Sequence, residues 1–301
     1  MADMKPIVYL LTWLGILPLR LIGLLPLGLG RRLTGWLAMP MRLLMRRRTA
    51  IARRNLAMCF TETSDADRER LLRAHFRQLA ESLAEISVAW QRPGRLDESF
   101  GQVVGLEHYR AARANGRGVL LLTGHVTCLE LGARLVGHHV EGWGIYRPLR
   151  NPVLNAFQNR GRLRYAAHML PRDQMRAMVR HLRSGGLLWY APDQDFGPER
   201  SLFAPFFGIE TATARAIVDL ARLGRALVLP MYPIKDEVTG RVTVHLEPAF
   251  EDFPSEDPEA DLGRYNAFLE RRIRQAPAQY WWLHRRFKTR PKGQSDPYGS
   301  G

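Results

Sequence analysis

The chain has 301 residues, of which 46% are hydrophobic, with a formal net charge of +15 and a pI near 10.6. This length and apolar content are enough for a substantial core, in one large domain or two small ones. Because Cys59 and Cys128 are the only two cysteines, the chain excludes an internal disulfide framework or a CxxC metal site, which favours a reducing compartment.

The positive charge comes mainly from arginine. Among the 44 basic residues, only Lys5, Lys235, Lys288 and Lys292 are lysine. Arginine can bind phosphate in a bidentate manner, and a basic surface favours an anionic partner such as nucleic acid, anionic lipid or an acidic carrier protein. Coding bias in a GC-rich genome explains the same arginine excess, so composition alone does not choose a partner.

The amino terminus is an apolar segment from Ile7 to Gly30, in which Arg20 is the only charge. It lacks a small-residue cleavage site, so a removable signal peptide is disfavoured. The segment is long enough to cross a bilayer, but Pro18, Arg20 and Pro26 are unfavourable near the centre of a span. We therefore expect residues 1–30 to form a hydrophobic membrane-anchoring helix that either spans or inserts partway.

A basic flank follows this segment, and no acidic residue occurs between Asp3 and Glu62. The positive-inside rule then predicts that the flank and the domain after it are cytoplasmic, against an anionic bilayer surface. The alternative is a buried amino-terminal helical hairpin with a solvated arginine face. The arginines of the flank are Arg31, Arg32, Arg42, Arg46, Arg47, Arg48, Arg53 and Arg54.

The rest of the chain alternates between helical and strand patterns. A helix is predicted from Ser64 to Trp90, where apolar residues recur at helical spacing after a capping-box variant. The alternation that follows predicts an α/β fold with a mixed central sheet flanked by helices. We assign residues 31–291 to this domain and 292–301 to a disordered tail. The later predicted strands are 118–123, 144–146, 187–191, 226–232 and 242–247, and the later predicted helices are 127–138, 151–165, 172–183, 211–223 and 261–275.

The most informative motif is His125 followed by Glu130, directly after the predicted strand that ends at Thr123. A base at the end of a strand, oriented by a carboxylate, can make a hydroxyl nucleophilic at neutral pH. Five residues on a straight helix turn through about 500°, so the two side chains can meet only if His125 lies in the turn before the helix. Thr127 and Glu130 then form a T-x-x-E capping box, which is the competing explanation for Glu130.

Other chemistry at this motif is less well supported. Cys128 is close enough to His125 to be proposed as a thiol nucleophile, but its neighbours Leu129 and Leu131 indicate a buried side chain. The histidines have no ligand spacing typical of a metal site. No metal or tightly held cofactor is therefore implied.

Several blocks between Arg53 and Pro291 together resemble the late (secondary) acyltransferases of lipid A synthesis, and in particular their lauroyl-transferring branch. That family lies within the lysophospholipid acyltransferase-like superfamily. The blocks are Arg54-Asn-Leu with Cys59-Phe60, Gly124-His125-x4-Glu130-Leu-Gly-Ala-Arg134, Tyr146-Arg-Pro, Gly161-Arg162-Leu-Arg164, Trp189-Tyr-Ala-Pro-Asp193-Gln-Asp195, Phe203-x-Pro-Phe-Phe-Gly208 and Trp282-Leu-His-Arg-Arg-Phe-Lys-Thr-Arg-Pro291.

The resemblance implies a glycerolipid acyltransferase-like fold and transfer of a fatty acyl chain, such as lauroyl or myristoyl, from acyl carrier protein. The acceptor would be a hydroxyacyl chain of a Kdo-bearing, bis-phosphorylated lipid A precursor, at the cytoplasmic face of the bacterial inner membrane. His125 would be the base and Glu130 the group that holds the imidazole. Arg162 and Asp193 fall where the family carries further essential polar residues.

Substrate binding is predicted for Arg147, Arg162 and Arg164, as ligands of phosphate or a sugar carboxylate, and for Asp193. Asp193 and Asp195 could orient these arginines or simply form a turn after a strand. Trp281, Trp282 and Phe287 are expected to anchor the carboxy-terminal segment in the core. His284, Arg285 and Arg286 could touch the acceptor or the carrier protein.

Other functional classes remain open alternatives. An acyltransferase for another membrane glycolipid or aminolipid would share the same base-and-acid motif. A membrane-associated lipid- or nucleic-acid-binding module fits the charge, but no nucleic-acid-binding motif is evident and no nucleic acid partner is expected. A hydrolase is disfavoured because the G-x-S-x-G nucleophile elbow is missing.

Overall fold

The computed structural model of the protein describes residues 6–91, 100–114 and 116–299. The helices are α1 (Pro6–Ile22), α2 (Leu27–Gly35), α3 (Ala38–Leu44), α4 (Arg46–Cys59), α5 (Asp65–Gln91), α6 (Leu106–Ala114), α7 (Leu129–Gly137), α8 (Pro152–Arg162), α9 (Met175–Arg183), α10 (Ala216–Gly224) and α11 (Pro258–Gln275). The strands are β1 (Gly101–Val104), β2 (Val119–Leu122), β3 (Trp143–Tyr146), β4 (His168–Pro171), β5 (Leu187–Tyr190), β6 (Ser201–Phe206), β7 (Ile209–Ala214), β8 (Leu227–Lys235) and β9 (Val242–Leu246).

Seven strands form one mixed sheet in the order β1-β9-β8-β2-β5-β3-β4. Its pairs are parallel except β8 with β9, which is antiparallel. β2 lies at the centre and all four of its residues are buried, as expected of a parallel strand covered on both faces. The prediction of an α/β fold with a mixed central sheet flanked by helices is confirmed.

Most predicted elements are present within a few residues of their expected bounds. The capping box at the start of α5 is also confirmed, because the Ser64 hydroxyl accepts a hydrogen bond from the Asp67 backbone N–H at 3.1 Å. The predicted helix 211–223 is wrong in its first part, where β7 pairs with β6 in a two-stranded antiparallel sheet. Thr211 and Thr213 are buried in β7. Their β-branched side chains favour a strand, because they pack well against neighbouring side chains on a buried sheet surface.

The amino-terminal helices pack on α5. The apolar side chain of Leu27 is buried in α2, and Arg31 of the same helix donates a 2.8 Å hydrogen bond to Glu85 of α5. The expected boundary between an anchor ending at residue 30 and a domain starting at 31 therefore falls inside one helix. Among the described residues, α1 and every other helix fall short of the length and apolarity needed to cross a membrane.

A buried charge cluster joins these helices to the sheet. The ammonium group of Lys235, at the end of β8 and 2% exposed, lies 2.7 Å from Glu85 and 3.1 Å from Glu81. Burial disfavours the charged amine, but the two glutamates outweigh it, so the pKa of Lys235 is raised. The ion pairs thus fix the carboxyl end of β8 against α5.

We expect Lys235→Met to lower the free energy of unfolding by about 3 kcal/mol, because removing one partner leaves a buried carboxylate poorly compensated. Chemical denaturation measures this loss. Lys288→Met, at an exposed lysine, is the matched control and should unfold like the wild type. Equal midpoints and slopes for all three proteins would contradict a stabilising role for the cluster.

The end of the chain packs back onto the domain. The Tyr298 hydroxyl donates to the side-chain oxygen of Asn55 and accepts from the Phe287 backbone N–H at 3.1 Å, and its ring contacts the core. Residues 292–299 therefore differ from the disordered tail expected for 292–301, because Tyr298 supplies both apolar area and hydrogen bonds. Residues 300 and 301 lie outside the described residues.

Candidate active site

His125 and Asp193 meet at one edge of the central sheet. His125 lies three residues after the end of β2, and Asp193 lies three residues after the end of β5. These strands are parallel neighbours in which Leu122 pairs with Tyr190. Because the carboxyl ends of parallel strands meet at the same edge, the two loops converge where ligands commonly bind in α/β folds.

Asp193 holds the histidine through two hydrogen bonds. One of its carboxylate oxygens lies 2.5 Å from Nδ1 of the imidazole, and the other accepts from the His125 backbone N–H at 2.8 Å. The sequence predicts Asp193 as a substrate-binding residue, but its side chain is only 2% exposed and its oxygens are bonded to His125. Asp193 is thus placed as the group that orients the base, which leaves Nε2 available for chemistry.

The backbone of the histidine loop is fixed by the carboxy-terminal segment. The Trp281 N–H donates to the His125 carbonyl at 3.0 Å, and the Thr127 N–H donates to the Gln279 carbonyl at 2.8 Å. Val126 and Tyr280 form an isolated antiparallel bridge between these residues. The residues just before Trp282 therefore hold the loop that carries His125.

Gly124 lets Asp193 approach the loop. A Cβ at this position would lie 2.9 Å from a methyl group of Leu269 and 3.3 Å from a carboxylate oxygen of Asp193. A larger residue would press on Leu269 and on the carboxylate that binds His125. The glycine before His125 is explained by this close packing.

The electrostatics of the pair favour the imidazolium. Burial disfavours charge on the ring, but the Asp193 carboxylate and its hydrogen bond outweigh this, so the pKa of His125 is raised above its ordinary value. Burial likewise acts to raise the pKa of Asp193, yet the charge and the hydrogen bonds of His125 lower it to about 2. The ring is 32% exposed, so a proton taken up at Nε2 can be passed to a substrate.

Glu130 does not hold the imidazole, so that part of the prediction is wrong. Its Oε1 accepts from Arg162 at 2.5 and 3.0 Å, and its Oε2 accepts from the Trp90 indole at 2.7 Å and from the Tyr165 hydroxyl. Burial favours the protonated acid, but these donors, Arg162 first, lower the pKa of Glu130. The carboxylate therefore organises the wall of the site and stays ionised.

The T-x-x-E capping box expected around Thr127 is also wrong. Helix α7 begins at Leu129, with Cys128 at the N-cap and no side-chain capping bond. The Thr127 hydroxyl is buried and has no hydrogen-bond partner among the described residues. Because Trp90, Arg162 and Tyr165 bind the Glu130 carboxylate, it does not turn back to cap its own helix.

His125 and Glu130 line one cavity of about 310 Å³. The polar part of its wall includes Arg147, Arg162 and Gln194. The apolar part is formed by Leu129, Ile145, Tyr146, Ala166, Met169, Trp189 and Ala191. A base beside apolar walls and arginines fits a substrate that carries both an acyl chain and an anionic group.

The predicted arginine ligands are distributed over different surfaces. Arg162 forms an ion pair with Glu130, so few of its N–H donors remain for a substrate. Arg147 lines the cavity that holds His125 and also a neighbouring cavity of about 620 Å³. Arg164 lines neither of these, but borders a third cavity next to α1.

The remaining candidates have structural contacts. The Cys128 thiol is fully buried, and burial raises its pKa to about 12, which argues against a thiolate nucleophile. The Asp195 carboxylate accepts from the backbone N–H and hydroxyl of Thr289, and its own N–H donates to His284 at 3.0 Å. Arg286 is 2% exposed and donates to the Ala212 carbonyl at 2.5 Å, so it tethers the β6–β7 hairpin.

Sequence reasoning missed Trp90 and Tyr165 as parts of the site. Trp90 was expected only as an apolar residue of its helix, and Tyr165 follows α8 without forming a recognisable motif. Their contacts with Glu130 span 40 and 35 positions along the chain, so no local pattern marks them. The anchoring of Trp282 and Phe287 in the core, 1% and 0% exposed, is confirmed.

Comparisons with known proteins identify the family of this chain. The family model described as "Bacterial lipid A biosynthesis acyltransferase" matches residues 3–289. The lipid A biosynthesis lauroyltransferase of Escherichia coli (strain K12) is 40% identical over 292 residues, which cover 96% of this chain and 95% of that protein. The palmitoleoyltransferase of the same strain is 37% identical over 295 residues, covering 96% and 95%.

Among solved structures, the 1-acyl-sn-glycerophosphate acyltransferase of Thermotoga maritima matches with a TM-score of 0.38 and 13% sequence identity. That match covers 82% of this chain and 97% of the solved one. The family model, by contrast, spans nearly the whole chain, and both relatives align over almost their entire length. The chain therefore belongs to the bacterial lipid A biosynthesis acyltransferases and is an acyltransferase of lipid A synthesis.

Proposed function

We propose that this protein transfers a lauroyl or myristoyl chain from acyl carrier protein to a hydroxyacyl chain of a Kdo-bearing lipid A precursor. The observation that carries the proposal is the His125–Asp193 pair at the edge of a cavity with apolar walls and arginines. The pair supports removal of a proton from a hydroxyl, and the walls support binding of an acyl chain.

The reaction that we propose is a direct transfer with both substrates bound. Nε2 of His125 takes the proton of the acceptor hydroxyl, while Asp193 stabilises the imidazolium that forms. The hydroxyl oxygen attacks the thioester carbonyl carbon, and the carbon–sulfur bond then breaks as the carbonyl re-forms. The leaving thiolate takes the proton from Nε2, which restores the neutral base.

The donor side of this proposal is supported by the charge next to the catalytic cavity. Arg147 borders both the 310 Å³ cavity and the neighbouring cavity of about 620 Å³. That neighbour is lined by four arginines against three acidic residues, so its balance favours an anionic partner such as an acidic carrier protein. The four arginines are Arg147, Arg172, Arg200 and Arg215.

We also propose that the amino-terminal helices lie on the cytoplasmic face of the inner membrane. Large apolar side chains of α1 are exposed, including Ile7 at 58%, Leu14 at 53% and Leu21 at 55%. An exposed apolar surface of this size is typical of a membrane or partner contact. The arginines of the basic flank support an anionic bilayer surface as that contact.

Reconstitution with defined substrates tests the function. Purified protein is incubated with lauroyl-, myristoyl- or palmitoleoyl-carrier protein and the Kdo-bearing lipid A precursor, and products are identified by mass spectrometry. With a saturated acyl carrier protein donor, we expect the acceptor to gain the mass of one acyl chain. The corresponding coenzyme A thioesters should be much poorer donors. Transfer only to another glycolipid or to an aminolipid, offered in parallel, would contradict the proposed acceptor.

A further inference from the structure

A cavity of about 640 Å³ lies between α1, α5 and α8 and is separate from the catalytic cavity. Four aromatic residues line it: Tyr9, Trp13, Trp90 and Phe157. Arg20, Arg160 and Arg164 complete its polar wall. We refer to this cavity, defined by these seven residues, as the α1–α8 groove.

The charged residues that line the groove are all positive. No aspartate or glutamate occurs among its lining residues. Within the described residues, Arg20, Arg160 and Arg164 form no ion pair with a carboxylate, although Arg20 stacks over Trp13 at 5.7 Å. Three arginines without a counter-charge, set in an apolar groove, suit a ligand that combines phosphate with hydrocarbon.

The groove opens beside the exposed apolar face of α1. Leu10, Leu14 and Leu17 of that helix are 54%, 53% and 47% exposed. Hydrocarbon chains can therefore continue from the groove onto an apolar surface without crossing water. A free inorganic phosphate or a soluble nucleotide would use only the arginines and leave this surface unexplained.

Trp90 separates the groove from the catalytic cavity. Its ring lines the groove, packs edge to face on Phe157 at 5.7 Å, and donates Nε1–H to Glu130 of the catalytic wall. Gly161 of α8 allows this position, because a Cβ there would lie 2.4 Å from the Trp90 ring. A ligand in the groove is thus one indole ring away from the wall of the reaction site.

We propose that the α1–α8 groove is the site for the lipid acceptor, with its phosphates at Arg20, Arg160 and Arg164 and its hydroxyacyl chain on the Trp90 side of the groove, nearest the wall of the His125 cavity. This inference rests on the proposed function, since it assigns a place to the acceptor of that reaction. The acyl donor then enters through the separate cavity that Arg147 borders. Two substrates with separate entrances can be bound at the same time, as direct transfer requires.

The charge of the site is tested by equilibrium binding of the bis-phosphorylated precursor in neutral detergent micelles. Arg160→Ala and Arg164→Ala should each weaken binding about 10-fold or more, because each removes a charge-assisted contact with phosphate. The Michaelis constant for the acceptor should rise in parallel, while that for the acyl donor stays unchanged. Arg176→Ala, at an exposed arginine of α9 outside these cavities, is the matched control.

The shape of the site is tested on α8. Ala156 is exposed and lines the groove, whereas Leu154 is exposed on the same helix and lies outside it. We expect Ala156→Trp to fill the groove and weaken acceptor binding about 10-fold, and Leu154→Trp to bind like the wild type. Circular dichroism confirms that both variants are folded.

A precursor without phosphates separates specific from general attraction. The wild type should bind this precursor weakly, and Arg160→Ala and Arg164→Ala should bind it with the same low affinity. If Arg160→Ala and Arg164→Ala lost as much affinity for phosphatidylglycerol vesicles as for the phosphorylated precursor, the assignment would be overturned in favour of general attraction to anionic lipid. Wild-type affinity in the two arginine variants and in Ala156→Trp would also overturn it, whether or not the wild-type protein acylates the precursor. Failure of acylation, with binding as expected, would count only against the proposed function.

Discussion

His125→Ala is expected to lower kcat by about 10²- to 10⁴-fold, which is the usual contribution of a positioned base. Binding of the acceptor should persist, because the arginines and apolar walls are retained. The measurement is steady-state transfer of label from acyl carrier protein at saturating acceptor. Since the imidazole is only partly buried, the variant should keep its fold.

His139→Ala is the control for this variant. His139 is exposed, lies two residues after the end of α7 and lines none of the cavities described above. It should transfer the acyl chain at the wild-type rate. If His125→Ala also kept that rate, the assignment of the base would be wrong, and so would the mechanism built on it.

Asp193→Asn is expected to reduce kcat to a similar extent and to change the pH dependence. An amide has one oxygen, so it cannot accept both the ring N–H and the backbone N–H of His125, and one bond becomes a contact between donors. The imidazole then loses its orientation and tautomer, a defect that can cost up to about 10⁴-fold in comparable pairs. Pre-steady-state measurement of the transfer step would record the loss.

The direction of the pH shift follows from the pKa of His125. In the wild type that pKa is raised by Asp193, so the neutral base accumulates only at higher pH, and the acid limb of kcat lies above the ordinary histidine value. Without the carboxylate the pKa falls, so the acid limb of the residual activity should move to lower pH. The profile of kcat between pH 5 and 9 measures this movement.

Glu130→Gln distinguishes the two carboxylates. Glu130 also raises the pKa of His125, but it ranks behind Asp193 among the causes. We therefore expect a smaller movement of the acid limb in Glu130→Gln than in Asp193→Asn, together with lower stability, because Arg162 loses its ion pair. A larger movement in Glu130→Gln would return the orienting role to Glu130.

Much of the fold follows from local patterns. The long helix α5 carries apolar residues at helical spacing and a capping serine, and the short apolar run at β2 fits a strand covered on both faces. The hairpin β6–β7 could not be predicted in the same way. Its threonines are equally compatible with the start of a helix. The strand is stabilised by hydrogen bonds of Thr213 with Asn266 and Arg286, which lie 53 and 73 positions away in the sequence.

The sequence predicted the histidine of the candidate site but not the carboxylate that binds it. His125 is marked by its place at a strand end, and a carboxylate nearby was expected. Glu130 was chosen because it is close in sequence, whereas Asp193 lies 68 positions away and becomes adjacent only because β2 and β5 are neighbours. Strand order is set by packing among all the strands, which no single motif encodes.

By itself, the sequence determined the class of fold and the family and singled out His125 as the candidate base, because each of these is carried by short stretches with a local physical meaning. The tertiary structure alone decided which carboxylate orients His125, which residues hold Glu130, and that Arg164 belongs to a groove beside α1. A hydrogen bond requires atoms about 3 Å apart, and for residues far apart in the chain only the folded sheet and its flanking helices set that distance.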